Sequence, residues 1–233
     1  MSSKARQLVL ALPHRPALGR DDFLVAGSNA AAVAMIDQWP DWPAPAVLLV
    51  GPAGSGKSHL VEVWRQKSAA GRIATSELRE GDVPALLASG RLAVEDGPGA
   101  GLDEKALFHL LNYARQQGAQ LLITSNVRPS QWQVKLPDLL SRLRALPVTE
   151  LGAPDDNLLR GVLVKLFADR QLAIDDTIVS YLLVRMPRSL EVAQKLVAEI
   201  DRRALEEKAA VTRAFAARVL AQLHAPELFN EDD

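Results

Sequence analysis

One run of eight residues carries the most pointed chemistry in the chain: Gly51-Pro52-Ala53-Gly54-Ser55-Gly56-Lys57-Ser58. It fits the pattern G-x-x-x-x-G-K-[ST] at every fixed position. In that pattern glycines let backbone N–H groups converge on phosphate oxygens, and the helix that follows turns its positive end toward them. Lys57 would reach the β- and γ-phosphates, and the Ser58 hydroxyl would ligate Mg²⁺. Further on, the apolar run Leu92-Ala93-Val94 ends in Glu95-Asp96. Beside a phosphate loop, the first acid of such a pair holds the hydration shell of Mg²⁺ and the second orients an attacking water. Glu95 stands where aspartate is usual, and its extra methylene displaces the carboxylate. Mg²⁺ demands near-ideal octahedral geometry, so binding with weak hydrolysis is expected. A third polar tip, Asn126, follows Gln120-Leu121-Leu122-Ile123-Thr124-Ser125 and can place an amide between the acids and a γ-phosphate.

These tips need strands to carry them. Ala46-Val47-Leu48-Leu49-Val50 leads into the loop, and a helical run from His59 to Gln66 leaves it. Arg72 to Ala74 reads as a short strand and Pro84 to Leu87 as a short helical segment. Asp103 to Gln117 has Leu107, Leu110 and Leu111 on one side of an amphipathic helix that Gly118 stops. Upstream, an alanine-rich helix with Val33 and Ile36 is capped by Ser28 or Asn29 and ended by the proline-rich Trp39 to Pro45. Alternating buried strands and helices up to about residue 150 predict a three-layer α/β domain with a largely parallel sheet. Beyond Gly152-Ala153-Pro154 no strand-like run occurs. Four helices follow, capped by Asp155 or Asp156, by Asp175 or Asp176, at Arg188-Ser189, and by Thr212.

Composition narrows the function. Lys and Arg number 27 against 28 Asp and Glu, which disfavours a protein held on DNA by bulk charge. The chain has no cysteine, so it has no disulfide framework and no thiolate metal site. No apolar run approaches membrane-spanning length, and the start makes a poor signal peptide, so a soluble cytoplasmic protein is expected. The histidines His14, His59, His109 and His224 lie far apart without ligand spacing. Residues 1–18 form an arm in which Gln7, Leu8, Leu10 and Leu12 could enter an apolar groove on a partner, or fold back on their own domain.

The pieces Val25-Ala26-Gly27-Ser28-Asn29, Gly51 to His59, Leu122 to Asn126 and Leu140-Ser141-Arg142-Leu143 together resemble the DnaA clade of AAA+ ATPases. The resemblance covers about residues 19–223 and implies a nucleotide-binding AAA+ domain over 19–151, a helical lid over 152–225 and an acidic tail over 226–233. An initiator of that clade would continue into a helix-turn-helix domain, for which no segment is expected here. The resemblance implies ADP or ATP, with Mg²⁺, held by Gly51, Gly54, Gly56, Lys57, Ser58 and His59, with the residues around Phe23 to Ala26, Val25 among them, bordering the adenine. Ser58 and Glu95 would take the metal, Asp96 and Asn126 the hydrolytic positions, and Arg188 the lid's sensor of phosphate. Arg142 resembles an arginine finger that enters a neighbouring subunit's site, with Arg144 as its competitor.

Within the clade, the arm is similar to the Gln-Leu-x-Leu-x-Leu peptide by which a regulator of the initiator binds the sliding clamp, the β subunit of DNA polymerase III. The partners so implied are DnaA, the clamp, DNA mostly through the clamp, and a second copy of the chain. The implied function is negative control of replication initiation by stimulating ATP hydrolysis on DnaA. A helicase loader with its own DNA-stimulated ATPase is the alternative. A small-molecule phosphoryl transferase ranks last, because no acid or base is placed for a second substrate.

Overall fold

The computed structural model describes residues 19–97 and 101–224. Five strands are present among them: β1 (Ala46–Val50), β2 (Gly71–Ala74), β3 (Arg91–Glu95), β4 (Gln120–Ser125) and β5 (Val148–Glu150). They form one sheet in the order β2-β3-β4-β1-β5, every neighbouring pair parallel. All five residues of β1 are buried, and β3 and β4 are buried beyond their first residue. Near-continuous apolar strands are what a parallel sheet covered on both faces requires.

Side-chain alternation sorts the two faces. Val47, Leu49, Ala93 and Leu122 pack with Ile36 of α1 (Ala30–Asp37) and with Leu60 and Trp64 of α2 (Lys57–Ser68). Leu48, Val50, Leu92, Val94, Leu121 and Ile123 face the other way. There they meet Val83 of α3 (Val83–Leu86), Leu107 and Leu110 of α4 (Glu104–Gln117), and Leu139 and Leu143 of α5 (Pro137–Arg144). The result is the three-layer α/β arrangement that the strand and helix pattern predicts. The edge strand β5 is the one element that the apolar pattern of Leu146-Pro147-Val148 does not identify as a strand. It has three residues in an exposed-buried-exposed pattern and exists by pairing with β1.

Past Gly152 the described chain is helical: α6 (Asp156–Asp169), α7 (Asp176–Arg185), α8 (Leu190–Glu207) and α9 (Arg213–His224). These helices share a separate apolar core that includes Leu163, Phe167, Leu182, Leu196, Ile200 and Val219. The structure decides each open capping choice. Asp155 accepts from the Leu158 N–H at 2.8 Å, Asp175 from Ile178 at 3.1 Å, Ser189 from Val192 at 3.2 Å and Thr212 from Phe215 at 3.2 Å. Caps of this kind contribute about 1 kcal/mol each. Asn29 precedes α1, but its side chain serves the incoming turn instead. Its Oδ1 accepts from the Ala26 N–H at 2.8 Å, and its Nδ2 donates to the Leu24 carbonyl at 2.9 Å. Among the described residues no helix is long and apolar enough to cross a membrane.

On α8, Glu199 accepts from Arg202 Nε at 2.9 Å and pairs with Arg203 one turn on. These guanidinium groups pull its carboxyl down from 4.5 to about 2. A carboxylate depressed in the folded state stabilises the fold above its unfolded value, and that contribution fades as pH falls through the window from about 4.5 to about 2. Thermal melting followed from neutral pH into that window should show the wild type losing stability more steeply than Glu199→Gln.

Candidate nucleotide site

The site lies where the strands end. In an open parallel sheet, ligands bind outside the carboxyl ends of the strands, and here β1, β3 and β4 deliver Gly51, Glu95-Asp96 and Asn126 to one place. The Gly51 N–H donates to the Ser125 carbonyl at 3.0 Å, which locks the loop to the tip of β4. A Cβ on Gly51 would come within 2.7 Å of the Leu151 carbonyl oxygen, so only glycine permits this approach. Gly56 takes φ +102° directly before α2, and that left-handed turn swings the chain into the helix whose first N–H groups open onto the loop.

Lys57 is almost wholly buried, and its ammonium donates to the carbonyls of Gly51 at 2.7 Å and Pro52 at 2.9 Å and to Asn126 Oδ1 at 2.9 Å. Burial lowers its pKa, while the charges of Asp96 and Glu95 oppose that shift. Thus Asn126 touches the loop lysine, and the two acids act on it through their charge. Asp96 itself is held with φ +59°, its N–H donating to Thr124 Oγ1 at 3.2 Å, while Thr75 Oγ1 donates to the Glu95 carbonyl at 2.6 Å. Aspartate tolerates this left-handed conformation better than most residues.

Ser58 and Glu95, the pair expected to take Mg²⁺, face one another, with Ser58 Oγ 3.4 Å from Glu95 Oε2. A third residue interferes. Arg72, on β2, donates from Nη2 to the same Oε2 at 2.8 Å. Strand register explains this: Arg72 pairs with Ala93, so its side chain lies on the face of the sheet that also carries Glu95, two residues along. Glu95 Oε1 is buried without a hydrogen-bond partner, and burial raises the carboxyl's pKa while Arg72 lowers it. The donor set therefore fits Mg²⁺ poorly, since a dication between Ser58 and Glu95 would sit against a guanidinium already bound there. Nothing local marked Arg72 as part of the site, because an arginine in a four-residue strand is ordinary until its neighbour is known.

Helices α6 to α9 come down onto the loop. The Leu190 N–H donates to the Gly54 carbonyl at 2.8 Å, and a Cβ on Gly54 would lie 2.0 Å from Ser189 Oγ. Gly54 also has φ +72°, so glycine is required twice over. Two cavities flank this contact. One of about 450 Å³ is lined by Gly54, Gly56, Lys57, Ser58 and Arg72. The other, of about 290 Å³, has apolar walls from Phe23, Leu24, Leu158, Leu166 and Leu190, of a kind that takes a flat ring. An ion pair between Asp22 and Lys165 at 2.8 Å spans its rim. His59 lines both cavities, half-buried and edge-on to Phe23 at 4.9 Å, with burial pulling its pKa down.

The other expected site residues lie farther out. Val25 is 54% exposed, while Phe23 and Leu24 of the same stretch line the apolar cavity. Arg188 adjoins the Ser189 contact, but its guanidinium pairs with Asp156 at 2.9 Å on the surface. Arg142 lies on α5, stacked over the Phe108 ring of α4 at 5.2 Å from its centre, and Arg144 is exposed on the same helix. Neither arginine joins the loop of its own chain. Gln7, Leu8, Leu10 and Leu12 fall outside the described residues.

The architecture has counterparts. Domain III of DnaA from Thermotoga maritima superposes with a TM-score of 0.74 at 18% identity, over 91% of this chain and 99% of that one. The fold is that of AAA+ ATPases. A RuvB variant from Thermotoga maritima matches with a TM-score of 0.69 at 18% identity, over 90% of this chain and 73% of that one. A DnaA bound to AMPPCP and single-stranded DNA gives 0.64 at 17% identity, over 83% of this chain and 68% of that one. By sequence, DnaA of Clavibacter sepedonicus is 24% identical over 89% of this chain, and an uncharacterised protein of Haemophilus influenzae is 29% identical over 50% of it. The chain spans about half the length of these curated relatives, 49% and 51% respectively. No family model matches.

Gly54→Ala would combine a strained left-handed φ with a collision against the Ser189 side chain, and should cost about 1–3 kcal/mol of stability. A denaturant titration should show the loss, and adding Ser189→Ala should recover only part of it, because Ser189 Cβ would still lie 2.9 Å from the new methyl.

Proposed function

We propose that the chain is a nucleotide-bound regulator of replication initiation of the Hda type, which binds the sliding clamp and stimulates ATP hydrolysis on DnaA. The observation that carries this reading is the hydrogen bond between the Leu190 N–H and the Gly54 carbonyl, which ties the helical lid to the phosphate loop. A ligand at such a loop sets where the lid sits, and so sets the shape offered to a partner. Meanwhile Glu95, the first of the two acids at the end of β3, is engaged by Arg72. The nucleotide, ADP or ATP, then serves as a conformational ligand. The fold shared with DnaA domain III supports a partner of the same architecture, stacked against this chain.

The roles divide accordingly. Gly51, Gly54, Gly56, Lys57 and Ser58 bind phosphate, His59 and the Phe23-Leu24 wall border the base, and Arg188 reports lid position. Arg142 lies outside its own cradle and would enter the DnaA site in trans, where it stabilises charge on the transferring phosphoryl. A finger of this kind contributes about 10³- to 10⁵-fold in rate, or about 4–7 kcal/mol of barrier. Gln7, Leu8, Leu10 and Leu12 would hold the protein on a DNA-loaded clamp, whose repeated pockets add multivalency to a weak single motif. Conversion of DnaA to its ADP form would then follow active replication.

Turnover of DnaA-bound ATP in the presence of clamp-loaded DNA checks both arms of the proposal. Wild type should accelerate it, Arg142→Ala should abolish the acceleration, and Gln7→Ala should remove its dependence on the clamp. Turnover as fast with both variants as with wild type would sink the proposal. Strong intrinsic ATPase activity that rises with single-stranded DNA would point instead to a helicase loader.

A further inference from the structure

The carboxylate at the end of β3 is answered by a cation that belongs to the protein. Glu95 Oε2 accepts from Arg72 Nη2 at 2.8 Å and lies 3.4 Å from Ser58 Oγ, so the guanidinium already engages the carboxylate oxygen that faces the hydroxyl. Glutamate in place of aspartate is what lets the carboxylate extend to β2. Arg72 is also half-exposed and lines the same cavity as Gly54, Gly56 and Lys57. Its side chain carries five N–H donors in a planar fork suited to phosphate oxygens, and the bond to Glu95 uses only one of them. The local charges balance without a dication: Lys57 and Arg72 stand against Glu95 and Asp96. Adding Mg²⁺ at Ser58 would either expel the guanidinium or crowd against it.

We infer that Arg72 holds the divalent cation's place at this site, so that the chain takes a nucleoside diphosphate without Mg²⁺. The guanidinium, braced by Glu95, would meet the phosphates in the cavity that Lys57 also lines. The inference rests on the reading above only in placing a nucleotide in this cradle, and it can be tested without DnaA or clamp.

Affinity for a fluorescent ADP analogue would be measured by anisotropy on the full chain, once in EDTA and once in Mg²⁺. Wild type should bind equally in both, within about threefold. Arg72→Gln keeps a hydrogen bond to Glu95 but loses the charge. It should bind at least about tenfold more weakly in EDTA and recover when Mg²⁺ is added, because the freed carboxylate can then take the ion. Glu95→Gln, which removes the charge that braces the guanidinium, should weaken ADP binding in both buffers without recovery in Mg²⁺, and serves if Arg72→Gln does not fold. A wild type that needs Mg²⁺ for ADP, or that binds no ADP, overturns the inference. So does an Arg72→Gln protein that matches wild type in both buffers. A Mg²⁺-requiring wild type would leave the regulator reading untouched, and a failure to stimulate DnaA would leave this one standing.

Discussion

The structure turns on one backbone contact, the Leu190 N–H donating to the Gly54 carbonyl across the gap between sheet and lid. Two cores of different construction meet there. One is a parallel sheet sandwiched between helices, and the other is a four-helix cluster with its own apolar interior. This bond, the Asp22–Lys165 ion pair and the apolar residues around Phe23, Leu24, Leu158 and Leu190 join them. Gly54 makes the contact feasible because any side chain would collide with Ser189.

The electrostatics around the loop follow from the same geometry. Lys57 is buried against carbonyls and Asn126, and Glu95 is buried with one carboxylate oxygen on Arg72 and the other without a hydrogen-bond partner. Unmatched buried charge is costly, and removing one member of such a pair usually costs more than the pair itself contributes. The site is therefore organised around fixed charges rather than around freely solvated acids. That arrangement suits a protein whose nucleotide sets shape more than one that turns over ATP rapidly.

Much of the architecture was legible from local signals. The phosphate loop follows from the glycine spacing and its flanking strand and helix. The helix starts at Asp103, Ser189 and Thr212 follow from side chains that can accept a bond from an N–H three residues on. Local signals were weaker where two candidates stood side by side. Asp155 and Asp156 are equivalent on paper, and the backbone angles select Asp155. Asn29 looked like a helix cap because caps and turns draw on the same residue types, and its amide turned inward to the preceding turn. Strand β5 was invisible because three residues with one inward side chain carry no periodicity.

What the sequence determined by itself was chemistry that rests on neighbours along the chain: a phosphate cradle, an acid-ended strand, an Asn-tipped strand and a run of capped helices. What only the tertiary structure decided was chemistry that rests on neighbours across it. The pairing of β2 with β3 in one register puts Arg72 on Glu95, and a slip of one residue would have turned it to the other face. The descent of α8 onto the loop makes Gly54 a contact as well as a turn. The packing of α5 on α4 keeps Arg142 out of its own cradle. Spacing along a chain cannot reveal such pairings, because register and packing are set by the burial of whole faces. The phosphate loop was plain from its own eight residues, but its cation partner came from a strand that gave no sign of it.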